Sequence, residues 1–113
     1  MAFAVDRRDP PAIEVRVNFG VFAGREATPA EIERLAELLL DEVGEVTVIA
    51  EERHLLDANA EASLHQVRIE VSADLAPAQP AARAELERRI VERADYWARV
   101  CVADRHAELT DGA

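Results

Sequence analysis

The stretch Leu64 to Val71, Leu-His-Gln-Val-Arg-Ile-Glu-Val, constrains the fold more than any other. His65, Val67, Ile69 and Val71 fall on one side of an extended chain, and Gln66, Arg68 and Glu70 on the other. A period of two marks a strand with one apolar and one wetter face. Ala12 to Phe19 repeats the pattern, with Ile13, Val15, Val17 and Phe19 set against Glu14, Arg16 and Asn18. Glu45 to about Ala50 is rich in β-branched residues and reads as a further strand. Gly20 interrupts the apolar run that ends at Ala23, which points to a bulge or a close backbone approach.

Two helices separate and follow these strands. Thr28-Pro29-Ala30-Glu31 is a capping box with proline at the first helical position. Ile32, Leu35, Ala36, Leu39 and Val43 then recur at helical spacing, and Gly44 stands where a terminal residue of positive φ is expected. Pro80 opens the second helix, whose apolar stripe is Leu86, Ile90, Ala94, Trp97 and Cys101. Residues 51–63 fit either a hairpin connection or a turn of helix.

The order strand, helix, strand, strand, helix predicts an α+β domain. A right-handed crossover makes the first two strands parallel, and the third slots between them, antiparallel to both. The expectation is a ferredoxin-like β-α-β-β-α two-layer sandwich. It has a three-stranded sheet of order 1-3-2, two helices on one face, and no fourth strand. Residues 1–11, which end in Pro-Pro, are expected to be a flexible arm, 12–103 the single domain, and 104–113 a frayed tail. The missing strand leaves the first strand with a bare edge, which is a liability. Ile13, Val15, Val17 and Phe19 are therefore expected to pair with a second copy, or the open faces to stack. The rival is an internal cap by Phe3 to Val5, which leaves a monomer.

The 113 residues are half hydrophobic, enough for one unstapled core. A net charge of -10, from 23 acidic and 13 basic residues, repels phosphate backbones and anionic lipid surfaces. Nucleic acid and membrane are therefore not expected partners. Nothing in the sequence is long and apolar enough for a membrane span, and the N-terminus has no signal-peptide pattern. Cys101 is the single cysteine, which suits a reducing cytoplasm.

Nucleotide-binding glycine motifs, paired-cysteine motifs and the common hydrolase signatures are absent, and no cofactor is called for. Three sets of residues carry candidate chemistry. Gly24, Arg25 and Thr28 lie where a loop meets a helix N-terminus, whose free amides favour an anion. Arg16, Asn18 and Arg68 are polar groups on the open sheet face, available to a ligand. Glu52, His54 and His65 combine ligand types that suit a metal ion; the plainer reading is a half-buried histidine beside a carboxylate. Cys101 sits in the apolar stripe and reads as an inert thiol. The sequence thus favours a small acidic cytoplasmic homodimer that binds a protein partner or small effector without catalysis. The alternative is a small enzyme or metal-binding protein with a pocket on the open sheet face.

Overall fold

A computed structural model of the chain describes residues 2–5, 12–57 and 60–111, with side chains described for 2–5, 12–52 and 65–103. In chain order the elements are β1 (Ala2–Val5), β2 (Ile13–Val17), α1 (Phe19–Ala23), α2 (Pro29–Val43), β3 (Thr47–Asp57), β4 (Ala60–Val71) and α3 (Pro80–Asp111). The fold is α+β, with one four-stranded sheet of order β1-β2-β4-β3 in which every neighbouring pair is antiparallel.

The expected three-stranded sheet with a missing fourth strand is corrected. The fourth strand comes from the N-terminal segment, which was read as a flexible arm. Ala2–Val5 lies along β2 with Ala4 opposite Val15 and Val5 opposite Glu14. The rest of that arm, residues 6–11, lies outside the described residues. The edge expected to pair with a second copy through Ile13, Val15, Val17 and Phe19 is therefore occupied from within. Phe19 is not a strand residue at all; it begins α1.

The core forms where the two strand patterns meet. Val15 faces Ile69 and Val17 faces Val67, and all four are buried. Over this face lie α2, through Leu35 and Leu39, and α3, through Leu86, Ile90, Ala94, Trp97 and Cys101, all buried as their spacing predicts. Each of the leucines and Ile90 contributes about 1.5–3 kcal/mol on burial. Trp97 meets the start of α2 at Glu31, while Arg89 and Arg93 reach Glu42 near its end. The two helices therefore run antiparallel.

α1 is a single helical turn closed by Gly24 at φ 75°. Phe19 anchors it, with its ring centroid 5.1 Å from that of Trp97. Gly20 passes so near β4 that an added Cβ would lie 2.9 Å from the His65 Cβ and 3.0 Å from the His65 backbone. No larger residue fits there without moving backbone, the close approach that a glycine in an apolar run implies.

Beyond the sheet shared with β2, the β3–β4 ladder continues to Asp57 opposite Ala60. Residues 51–57 and 60–66 thus form a two-stranded ribbon, in line with the hairpin reading; residues 58–59 lie outside the described residues. α3 has 32 residues, about 48 Å at 1.5 Å per residue. It continues as helix past Ala103, where fraying was expected, to Asp111; residues 112–113 lie outside the described residues.

The capping box forms as the sequence implies. The Glu31 amide donates to Thr28 Oγ1 at 3.2 Å, and the Thr28 amide to Glu31 Oε1 at 2.9 Å. Thr28→Ala is expected to lower the stability of the fold by about 0.5–2 kcal/mol, read as a shift of the urea midpoint at constant slope. An unchanged midpoint would show that the cap contributes nothing.

Candidate functional site

The side of the sheet away from the helices carries a charged network. Register partners on adjacent strands share a face, so Glu14 and Arg16 of β2, Gln66, Arg68 and Glu70 of β4, and Glu51 of β3 lie together. Arg16 is its hub. Its Nε donates to Glu14 Oε2 at 2.8 Å, and one terminal nitrogen donates to Glu51 Oε1 at 2.6 Å and to Gln66 Oε1 at 3.2 Å. Gln66 Nε2 in turn donates to Asn18 Oδ1 at 2.5 Å. Glu14 is 1 % exposed and Gln66 7 %, so these are buried polar groups satisfied by one another. Burial alone pulls the Arg16 guanidinium down; its bonds to Glu51 and Glu14 outweigh that and raise it further. It is charged at every accessible pH.

The register sets like charges directly opposite each other: Arg16 faces Arg68, and Glu14 faces Glu70. Such pairs are destabilising on their own. Glu51 resolves the conflict by bridging the two arginines, 2.6 Å from Arg16 and 3.7 Å from Arg68. Arg68 Nε also lies 2.9 Å from Glu70 Oε1, close enough for an ion pair but without an aligned N–H···O bond. Arg16, Asn18 and Arg68 are thus brought onto one side of the sheet, as expected. There they meet internal partners. The alternation within β4 foretold Gln66 and Glu70. Glu51, grouped in the sequence with Glu52 as a possible metal ligand, was not placed on this face because β3 was read as ending at about Ala50.

Arg25 and Thr28 also come together, around an anion that the chain itself supplies, whereas Gly24 serves to close α1. Arg25 clamps the Glu31 carboxylate with two bonds, of 2.7 and 2.9 Å, and stacks 5.3 Å from the Phe19 ring centroid. The Glu31 carbonyl accepts from Trp97 Nε1 at 2.8 Å. Glu31 therefore joins the loop, the cap of α2 and the middle of α3. Its side chain already fills the helix terminus that was expected to hold an outside anion. The Arg25 bonds, opposed by partial burial and helped by the Thr28 amide, lower its carboxyl to about 2.

The sign of the pH effect follows. Because the folded value lies below the unfolded one, the stabilisation is fully present above about pH 4.5. It is lost as the pH falls toward 2. We expect acidification across that window to lower the unfolding free energy by roughly 2 kcal/mol more in the wild type than in Glu31→Gln. Equal losses in denaturant melts of the two proteins would remove Glu31 from the account.

Cys101 is buried against the same residue. Burial first, and the Glu31 carboxylate second, push its thiol up to about 12. A thiol held so far from its thiolate is a poor nucleophile.

Of the candidate metal ligands, Glu52 and His65 are register partners on β3 and β4. The side chain of His54 lies outside the described residues. His65 Nδ1 stands 3.8 Å from Glu26 Oε2. A small cavity of about 50 Å³ opens here, lined by Phe19, Glu26, Glu51, Glu52, His65 and Gln66 among others. Among the described residues no group of three or more His, Cys, Asp or Glu side chains is placed to hold a metal ion. No helix among them is long and apolar enough to cross a membrane. A scan of protein-family models, a search of curated proteins and a search of solved structures each give no match to this chain.

Proposed function

We propose that the chain is a small acidic interaction module of the cytoplasm, working as a homodimer and binding a protein partner or small effector without catalysis. The observation that carries this reading is the set of partners around Arg16. In a catalytic pocket, polar groups aim at a shared void where a substrate sits. Here the cation of the open face bonds to Glu14, Glu51 and Gln66. A face of paired charges suits recognition, because electrostatic complementarity sets specificity and register at an interface. The net charge of -10 weighs against nucleic acid and anionic membranes as partners.

Native mass spectrometry of the purified chain tests both halves of the proposal. The expected mass is about twice 12.5 kDa, with any retained small molecule as an added increment. A single 12.5 kDa species at micromolar concentration overturns the homodimer.

One observation favours a second reading, a metal or ligand pocket. Glu52 and His65 line the small cavity beside β3 and β4. Titration of the protein with zinc in a calorimeter decides it. Micromolar binding that vanishes in His65→Ala would establish the site, and an absence of heat would eliminate it.

A further inference from the structure

We propose that β1 is an exchangeable strand, and that the dimer forms when each copy lays its own Ala2–Val5 along β2 of the other. This rests on the homodimer reading above and specifies how that dimer is built.

β1 packs against α3 on one side, yet none of its four residues is buried, and Phe3 is 40 % exposed. Besides its ladder with β2, one polar tie is seen among the described residues: the Ala2 amide reaches Asp95 Oδ1 at 3.4 Å. Segments with few buried contacts open at low free energy. The strand beneath is the opposite case. Ile13, Glu14, Val15 and Val17 are all buried, and β4 holds the far edge of β2. Opening β1 therefore bares a row of amides and carbonyls beside apolar side chains, an edge that demands an occupant.

The occupant must alternate small and larger residues. Ala2 and Ala4 are register partners of the buried Val17 and Val15, on the side that α3 packs against. Phe3 and Val5 lie on the other side, opposite Arg16 and Glu14. The segment Ala-Phe-Ala-Val of a second copy fits that pattern by construction and remakes the same register.

The connecting sequence is the natural lever on the exchange. The closed chain must return from Val5 to lie antiparallel on β2. Asp6 to Pro11, Asp-Arg-Arg-Asp-Pro-Pro, contains no glycine and two prolines, and proline allows only a narrow range of φ. Exchange makes the same contacts in trans, so the balance is set by this link and by concentration.

Ala4→Cys combined with Val15→Cys, in a Cys101→Ser background, reads the pairing directly, because positions 4 and 15 are opposed across β1 and β2. After mild oxidation, the expected result on a non-reducing gel is a covalent species of two chains, reversed by reductant. Intramolecular disulfide alone overturns the exchange. Light scattering on the same sample before oxidation separates the two failures. A dimer that yields only intramolecular disulfide assembles through another surface, so the exchange falls and the homodimer stands. A monomer overturns both. Replacing Pro10 and Pro11 by glycine tests the link without touching the core. We expect dimer affinity to fall by about tenfold, since a looser link favours the closed chain. Unchanged affinity would contradict the proposal.

Discussion

Ile69→Arg is expected to leave no cooperatively folded protein. Ile69 is fully buried at the centre of the sheet, with Val15 opposite it on one side and Val48 on the other. Its neighbours are aliphatic, and its face of β4 turns away from Glu14, Glu51 and Glu70, so no carboxylate stands ready to pair with an arginine. Burying an unpaired charge costs several kcal/mol even after relaxation, and the lost isoleucine packing adds to that. A domain of this size has about 5–15 kcal/mol in hand. Circular dichroism should show no thermal transition, and the amide NMR spectrum should collapse. A dispersed spectrum with a sharp melt would mean that Ile69 is not in the core and that the strand order is wrong. Arg68, one residue away on the opposite face, is the natural control; replacing it by glutamine should leave the fold intact.

Trp97→Ala is expected to cost roughly 3–5 kcal/mol or more, from cavity formation and the loss of a buried hydrogen bond. Trp97 is fully buried on α3, and its ring lies against Phe19, which anchors α1. Its indole N–H donates to the Glu31 carbonyl. Removing it therefore empties the middle of the core and loosens α1 and the start of α2 together. Trp97→Phe divides the effect, since it keeps most of the ring packing and removes the donor, and should cost about 1–3 kcal/mol. Urea denaturation of the three proteins gives both numbers. Near-equal stability of Trp97→Ala and wild type would place the indole outside the core.

What could be read from the sequence was whatever a single element dictates. β4 has one face in the core and one on the charged side, so its alternation is unambiguous, and with β2 it gave the inward residues. α2 carries its start signal in four residues. The stripe on α3 from Leu86 to Cys101 is long enough for its period to show. The elements that escaped are those made by tertiary contact. Ala2–Val5 is only four residues long, too short for its Phe and Val to show a period beside two alanines, and the sequence supported it only as a possible cap on β2. Phe19 continues the alternation of β2 in the sequence, yet it starts a helix because Trp97 and Gly20 place it there.

The same division holds at the candidate site. Arg16 and Arg68 could be assigned to one face from their phase alone. Their fate depended on Glu51, in a stretch whose charged residues show no period. Past the end of β2 the ribbon has no third strand on that side, so packing against one imposes no alternation on it. Arg25 and Thr28 were recognised as an anion-binding pattern, and Glu31 as a cap. That the one carboxylate would serve both could be learned only from the geometry, because Arg25 has to swing back over Phe19 to reach it.

The position of β1 beside β2 also bears on how the chain matures during synthesis. β1 and β2 are close in sequence and can pair early, whereas Val15 meets Ile69 only after 54 further residues have been made. At about 5–20 residues per second, that is a wait of roughly 3–10 s. Throughout it, β1 is the neighbour at hand for one edge of β2, and the other edge, which β4 will take, stays bare. A nascent chain whose first strand had no such early neighbour would show two bare edges to the crowded space outside the ribosome. Pairing with β1 thus provides for one of the two edges of β2 before β4 has been made.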